Sequence, residues 1–236
     1  MTLYAGTSGF AYKAWKGTFY PADLPDDAML GHYAGRLPAV EINNTFYRMP
    51  RESMVLSWAD QVPDGFRFVL KASRKITHYG RLKNVASELE YFVRASSALG
   101  SKRGPSLFQL PPNMKQDLPR LVDFLALLPR GWPAAFEFRH VSWFADGVYE
   151  ALRAKNAALC IADVDEDGTA TPFTPTADWG YLRLRRDAYT ADELTAWLRR
   201  IGEAGWGDTY VFFKHEEAGV GAQLAAQMLQ LAAPEA

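Results

Sequence analysis

The chain has 236 residues, 48% hydrophobic and 22% charged, the balance of an ordinary globular protein with ample material for a core. Its formal net charge of -1 excludes a surface that is a nucleic-acid footprint throughout, while leaving room for a local basic patch. One cysteine, Cys160, excludes an intramolecular disulfide framework, and no apolar run reaches the ~20 residues that span a bilayer, so the expectation is a cytoplasmic protein without a signal peptide or membrane contact.

Residues 3–7 read as a first buried strand, followed by a loop carrying Phe10, Tyr12, Trp15, Phe19 and Tyr20. Those rings are expected to form a small satellite core, with one or two facing a cleft as the sharper alternative. Asp26 and Asp27 precede a helical pattern through Met29, Leu30, Tyr33 and Leu37. In the stretch AVEINNTFYRMP at 39–50, strand periodicity puts Glu41 and Asn43 on one face and Val40 and Ile42 on the other. A carboxylate at a strand end that points into a core needs a partner or a task. Tyr47 and Arg48 follow it, and residues 51–62 have the spacing of a helix.

The third strand, 66–71, ends at Lys71. From Gly65 to Ser87 there is no acidic residue, while Arg67, Lys71, Arg74, Lys75, Arg81 and Lys83 are basic and His78 lies among them. Such a run is either a solvated face or, at a strand end of an α/β protein, an anion site. Residues 84–99 read as a helix, Gly104-Pro105 as the end of a connection, and 106–110 as a fourth strand with Gln109 near its end, stopped by Pro111-Pro112. A helix at 117–128 leads to a fifth strand at 134–138, where Glu137 and Arg139 share a face and His140, Ser142 and Trp143 follow. A helix at 146–156 leads to a sixth strand at 157–162 that ends in Asp163, then to a long loop at 164–178. The seventh strand, 179–184, puts Tyr181 and Arg183 on one face. A helix at 190–204, an eighth strand at 209–213 finishing at Lys214-His215-Glu216, and a last helix at 219–232 complete the chain.

Eight strands separated by helix-length segments, with no linker, imply parallel pairing and right-handed crossovers, and eight such units close into a single (β/α)8 barrel of the TIM type over 1–236. An open doubly wound sheet is the alternative, but GTSGFAY is a poor glycine fingerprint for it. A barrel gathers its polar strand ends at one mouth: Thr7, Glu41, Asn43, Lys71, Gln109, Glu137, Arg139, Asp163, Arg183 and Lys214, with Tyr47, Arg48, His78, His140 and Trp143 as further binding candidates.

Five blocks in order, GTSGFAYKAWKGTFYP, VEINNTFYRMP, FVLKASRKITH, GPSLFQLPP and FEFRHVSW, resemble the diagnostic blocks of the DUF72 or YecE-like family. The resemblance runs from about Thr7 to Trp143 and continues more weakly to the C-terminus. It implies a TIM-type barrel whose function the family leaves uncharacterised. It also implies asparagines after the phenylalanine of the eighth strand, where this chain has Lys214, His215 and Glu216.

The chemistry stays open between several readings. Glu41 and Glu137 suggest proton transfer or a glycosidase-like pair, which needs two carboxyl groups roughly 5 to 10 Å apart. Equally, they can be neutralised structurally, Glu137 by Arg139 and Glu41 by Lys71 or Arg183. No cofactor motif is evident. A divalent metal is conceivable from His78, His140 and His215 with Glu41, Glu137 and Asp163, although no ligand spacing supports it and the nearby cations oppose it. Lys71 is either a Schiff-base lysine or, preferably, an ion-pair partner of Glu41. The favoured ligand is a small phosphorylated or carboxylated molecule, or a sugar-like one, held by Lys71, Arg139 and Arg183. Nucleic acid on the basic 67–83 segment and a non-catalytic metabolite- or protein-binding barrel are the alternatives.

Overall fold

The computed structural model describes residues 1–164, 170–214 and 217–233. Eight parallel strands close into a barrel in chain order: β1 (Thr2–Ser8), β2 (Ala39–Ile42), β3 (Arg67–Lys71), β4 (Arg103–Gln109), β5 (Ala134–Glu137), β6 (Ala158–Asp163), β7 (Gly180–Leu184) and β8 (Asp208–Phe213). Closure is made by β8 against β1, in register from Thr2 opposite Asp208 to Thr7 opposite Phe213. The surrounding helices are α1 (Met29–Ala34), α2 (Asn44–Tyr47), α3 (Glu52–Ala59), α4 (Ala86–Ser97), α5 (Leu118–Leu127), α6 (Asp146–Arg153), α7 (Ala191–Glu203) and α8 (Val220–Ala232). The expected (β/α)8 architecture is therefore the observed one. Among the described residues no helix is long and apolar enough to cross a membrane.

Strand periodicity sorts the apolar side chains into two cores. Val40, Ile42, Phe68, Leu70, Phe108 and Phe136 face the helices, while Ala39, Val69, Leu107, Ala135 and Cys160 face the lumen. The lumen is filled asymmetrically. Aromatic rings enter from β1, β7 and β8, with Tyr4 stacked on Tyr210 at 4.9 Å and Tyr181 against Phe212 at 5.5 Å, and small residues on β2, β5 and β6 leave space for them. Their bulk supports the polar layer above.

One strand departs from the sequence expectation. β4 begins at Arg103, so Gly104 and Pro105 belong to the strand rather than to the connection before it. Four residues of β4 (Arg103 to Ser106) there oppose three of β3 (Phe68 to Leu70), and a register irregularity of this kind is where a strand tolerates a proline without an N–H. Between β6 and β7 the described residues form no helix. Thr176 instead accepts from the Leu159 amide at 2.7 Å and donates to the Ala157 carbonyl at 2.8 Å, and Phe173 packs on Trp197 and Trp206. In the loop after β1, Trp15 and Tyr20 are buried among the neighbouring rings of Phe19, His32 and Tyr33.

The β1–β2 seam is set by Gly6. A β-carbon there would stand 1.9 Å from the Ala39 carbonyl oxygen and 2.9 Å from the Tyr33 hydroxyl, which itself donates to that carbonyl. Gly6→Ala is expected to lower the unfolding free energy by ~3 kcal/mol or more, because the backbone has to open to admit the methyl group. Urea unfolding measures this; a variant as stable as the parent would contradict the close approach.

Candidate functional site

At the C-terminal ends of the strands the inward positions become polar. Glu41, the last inward residue of β2, is fully buried, yet its carboxylate is saturated with donors. Oε1 accepts from Ser8 Oγ at 2.9 Å, Asn43 Nδ2 at 3.1 Å and Arg183 Nη2 at 2.8 Å, and Oε2 accepts from the Tyr181 hydroxyl at 2.5 Å. Across the lumen, Glu137 on β5 accepts from Gln109 Nε2 at 2.9 Å and from Arg183 Nη1 at 2.6 Å. One guanidinium on β7 therefore bridges two carboxylates from β2 and β5, a geometry that suits the planar fork of arginine. Lys71 on β3 donates to Gln109 Oε1 at 2.8 Å and lies 4.4 Å from the centre of the Phe46 ring.

Burial opposes ionisation of Glu41, but Arg183, the Tyr181 hydroxyl, Lys71 and Ser8 outweigh it and hold the carboxyl below its ordinary range. For Glu137 burial is likewise overcome, by Arg183, Lys71 and Gln109, and its pKa falls to about 2. Lys71 moves the other way for an amine. Burial, then the charge of Arg183, push it down to about 8 against the pull of Glu137 and Glu41. The cause is the pairing: among the described residues both carboxylates have their ion pairs with Arg183, so the expected Lys71–Glu41 and Arg139–Glu137 pairs are replaced.

Above this floor opens a cavity of about 560 Å³ bordered by Asn43, Tyr47, Lys71, Gln109, Glu137, Arg139 and Arg183. Glu41 lies beneath its surface. Four polar residues absent from the sequence-based candidates join them: Ser8, Tyr12, Asn44 and Arg185. Arg185 is two residues beyond Arg183, so extending the strand period past the end of β7 reaches it. Its guanidinium makes no hydrogen bond or ion pair with a described residue, and burial and Arg183 lower its pKa. Among the described residues, the cations Lys71, Arg139, Arg183 and Arg185 at this mouth outnumber Glu137 and the underlying Glu41.

Other candidates lie elsewhere. Thr7 faces α1, bonded to the Tyr33 hydroxyl at 2.9 Å, because period two turns Ser8 rather than Thr7 inward. Asp163 is turned outward for the same reason, to Arg186 Nε at 3.0 Å and the Tyr189 hydroxyl at 2.9 Å. Trp143 is buried, stacked on Phe138 at 4.7 Å and donating to the Met114 carbonyl at 2.8 Å. His140 Nδ1 accepts from the Ser142 amide at 3.2 Å and caps its turn. Lys214 pairs with Asp187 at 3.0 Å, and Arg48 borders a separate surface depression with Met49 and Met54. His78 contacts Thr77 Oγ1 at 3.0 Å and sets its ring edge-on to Phe46. His215 and Glu216 lie outside the described residues. Among the described residues no three His, Cys, Asp or Glu side chains come together as a metal-binding group. The basic run also divides: Arg67 stands over the Tyr4 ring at the opposite end of β3 from Lys71, whereas Arg74 lies against the exposed rings of Tyr47 and Tyr79.

Comparison with known proteins agrees with this architecture. The family described as "Protein of unknown function DUF72" matches residues 4–236. The UPF0759 protein YecE of Escherichia coli (strain K12) is 34% identical over 122 residues, which are 51% of this chain and 45% of that protein, so the match spans less than half of that relative's length. The UPF0759 protein YunF of Bacillus subtilis (strain 168) is 24% identical, over 97% of this chain and 94% of the relative. The crystal structure of a DUF72 family protein from Thermotoga maritima MSB8 superposes with a TM-score of 0.84 at 26% identity, covering 98% of both chains.

Arg183→Met would leave two buried carboxylates without a cation. We expect it to lower the unfolding free energy at pH 7 by ~3–5 kcal/mol. In the parent, the contribution of Glu137 is present above the unfolded carboxyl range and is lost as pH falls toward about 2. Without Arg183 burial raises the carboxyl pKa values, the folded state binds the extra protons, and the sign reverses: the variant regains stability as pH is lowered from 7 to 5. Denaturant titrations at the two pH values measure both effects, and equal stability of parent and variant at pH 7 would refute the role assigned to the bridge.

Proposed function

We propose that this chain, which belongs to the DUF72 family, is an enzyme that draws a small anionic substrate into the mouth of its barrel and moves a proton on it with Lys71 and Glu137. The observation that carries this reading is Arg185, a guanidinium at the cavity wall without a described protein partner, in a mouth whose described cations outnumber its described carboxylates. A phosphate or carboxylate of the substrate satisfies it with a charge-assisted, bidentate hydrogen bond. Arg139, at the exposed lip, adds to the field that attracts the anion.

Lys71 is the proton carrier best matched to neutral pH, since a pKa of about 8 leaves both forms of the amine populated. Glu137, ionised and bordering the cavity, accepts a proton or stabilises positive charge that develops beside it. Glu41 is a positioning residue: it is sealed below the cavity and fixes Arg183. A glycosidase-like pair is less well supported, because that chemistry requires one carboxyl held protonated and both carboxyls are pulled below their ordinary range. Asn43 Oδ1 and Arg183 Nε at the floor are buried without a hydrogen-bond partner among the described residues.

Titration calorimetry with inorganic phosphate and with malonate tests the anion site. The parent is expected to bind one of them, Arg185→Gln to bind it about 10- to 100-fold more weakly, as the loss of a charge-assisted contact implies, and added salt to weaken binding. Absence of binding to the parent, or equal affinity of the variant, would refute the assignment. The amine is tested separately by NMR titration of labelled lysine: a midpoint near 8 that rises when the anion binds supports proton transfer, and a midpoint at the ordinary 10.5 removes Lys71 from that role.

A further inference from the structure

Arg183 occupies both carboxylates of the floor, and this leaves Lys71 as a buried amine without an acid partner. Among the described residues its Nζ has one hydrogen bond, to the neutral Gln109 Oε1 at 2.8 Å, and the side chain is 8% exposed. The Phe46 ring covers one side of the nitrogen and Gln109 fixes another, so the open side faces the cavity. On the wall of the same cavity stands Arg185, placed to hold an anionic group while the rest of the ligand lies against the amine. We propose that Lys71 is a covalent residue that condenses with the carbonyl carbon of a small aldehyde or ketone carrying an anionic group, forming an imine. The inference deepens the anion-site reading above and rests on it.

The step balances within the groups present. The neutral amine nitrogen attacks the carbonyl carbon, the carbonyl π pair moves to oxygen, and a proton from nitrogen gives the carbinolamine. Protonation of that hydroxyl expels water as the nitrogen lone pair forms the C=N bond. Overall, a carbonyl compound and the lysine ammonium give a protonated imine and one water, whose two hydrogens are those the nitrogen has lost. Charge is conserved at the nitrogen, so the iminium inherits the ammonium's environment and can withdraw electrons from the adjacent carbon, where Glu137 is positioned to take up a proton. Desolvation favours the neutral amine needed for attack, as do the surrounding cations Arg183 and Arg185, against Glu137 and Glu41; His78 on the turn after β3 is within electrostatic reach.

The test uses the whole chain, glyoxylate as an anionic aldehyde, propanal as a neutral one, and cyanoborohydride to trap any imine, with the modified lysine identified by peptide mass spectrometry. Expected is a saturable adduct on Lys71 that forms faster than on exposed lysines such as Lys13, whose side chain is 81% exposed. It should be slowed by inorganic phosphate and form at least about tenfold more slowly with propanal, or with glyoxylate on Arg185→Gln, for want of the charged contact. The labelling rate should rise with pH through about 8 and then level off, rather than climb toward 10.5 as for an ordinary lysine. Labelling confined to exposed lysines, in a protein that binds phosphate by calorimetry, overturns the imine and leaves the anion site standing. Loss of both labelling and phosphate binding overturns the two readings together. Lys71→Met, its fold verified by its unfolding transition, should lose the saturable adduct, and retention of that adduct would also refute the proposal.

Discussion

The structure of the mouth depends on a single cation serving two anions. Arg183 is buried with Glu41 and Glu137, and removing three charges from water is unfavourable unless their geometry and remaining hydrogen bonds compensate. Here they do so from six directions: Ser8, Asn43, Tyr181 and Gln109 complete the two carboxylates around the two guanidinium contacts. A lysine in the place of Arg183 has no planar fork with which to span both acids. Because the bridge consumes the acids, it also fixes the character of what is left. Among the described residues, Lys71 and Arg185 border the cavity without a carboxylate partner.

The lumen beneath makes that arrangement possible. Tyr181 is both a wall of the apolar plug, packed on Phe212, and a hydrogen-bond donor to Glu41. The plug's aromatic bulk comes from β1, β7 and β8, opposite alanines of β2, β5 and β6, so the residues that fill the barrel also set the height at which the charges sit. The barrel does not grade smoothly from apolar to polar. It changes within one inward step on β2, β5 and β7, from Ala39 to Glu41, from Ala135 to Glu137 and from Tyr181 to Arg183.

Much of this was legible in the sequence because a parallel strand has a rigid period. Glu41, Glu137 and Arg183 could be named as strand-end residues from alternation alone, and the alternation of strands with helices implied the barrel. The same period explains the errors. At Thr7 and Asp163 a one-residue difference in register exchanges the mouth for the helical layer, and the short polar side chains nearby gave no reason to choose. Arg185 escaped notice because it follows the strand's last residue. Partner choice was beyond sequence reasoning for a different cause: Glu41 and Arg183 meet across 142 positions, and which cation reaches which acid depends on the barrel's radius and the side chains filling it. The fate of Trp143 and His140 was set by loop packing, for which no period exists. Gly104-Pro105 has the form of a breaker, so sequence reasoning starts β4 too late, and only the paired register with β3 identifies the pair as an irregularity inside the strand.

The bridged carboxylates have one further consequence, for the valence of the mouth. Glu137 and Glu41 lose their protons well below neutrality, and Tyr12 at the cavity wall is pushed up to about 12. His78, beside the Phe46 ring, is held below its ordinary value by burial and by the charge of Lys71. Lys71, by contrast, is the described cavity group brought close to neutrality, with a pKa of about 8. Small changes of pH around neutrality therefore reach the charge of this floor through the Lys71 amine, while the bridged carboxylates beneath it stay ionised.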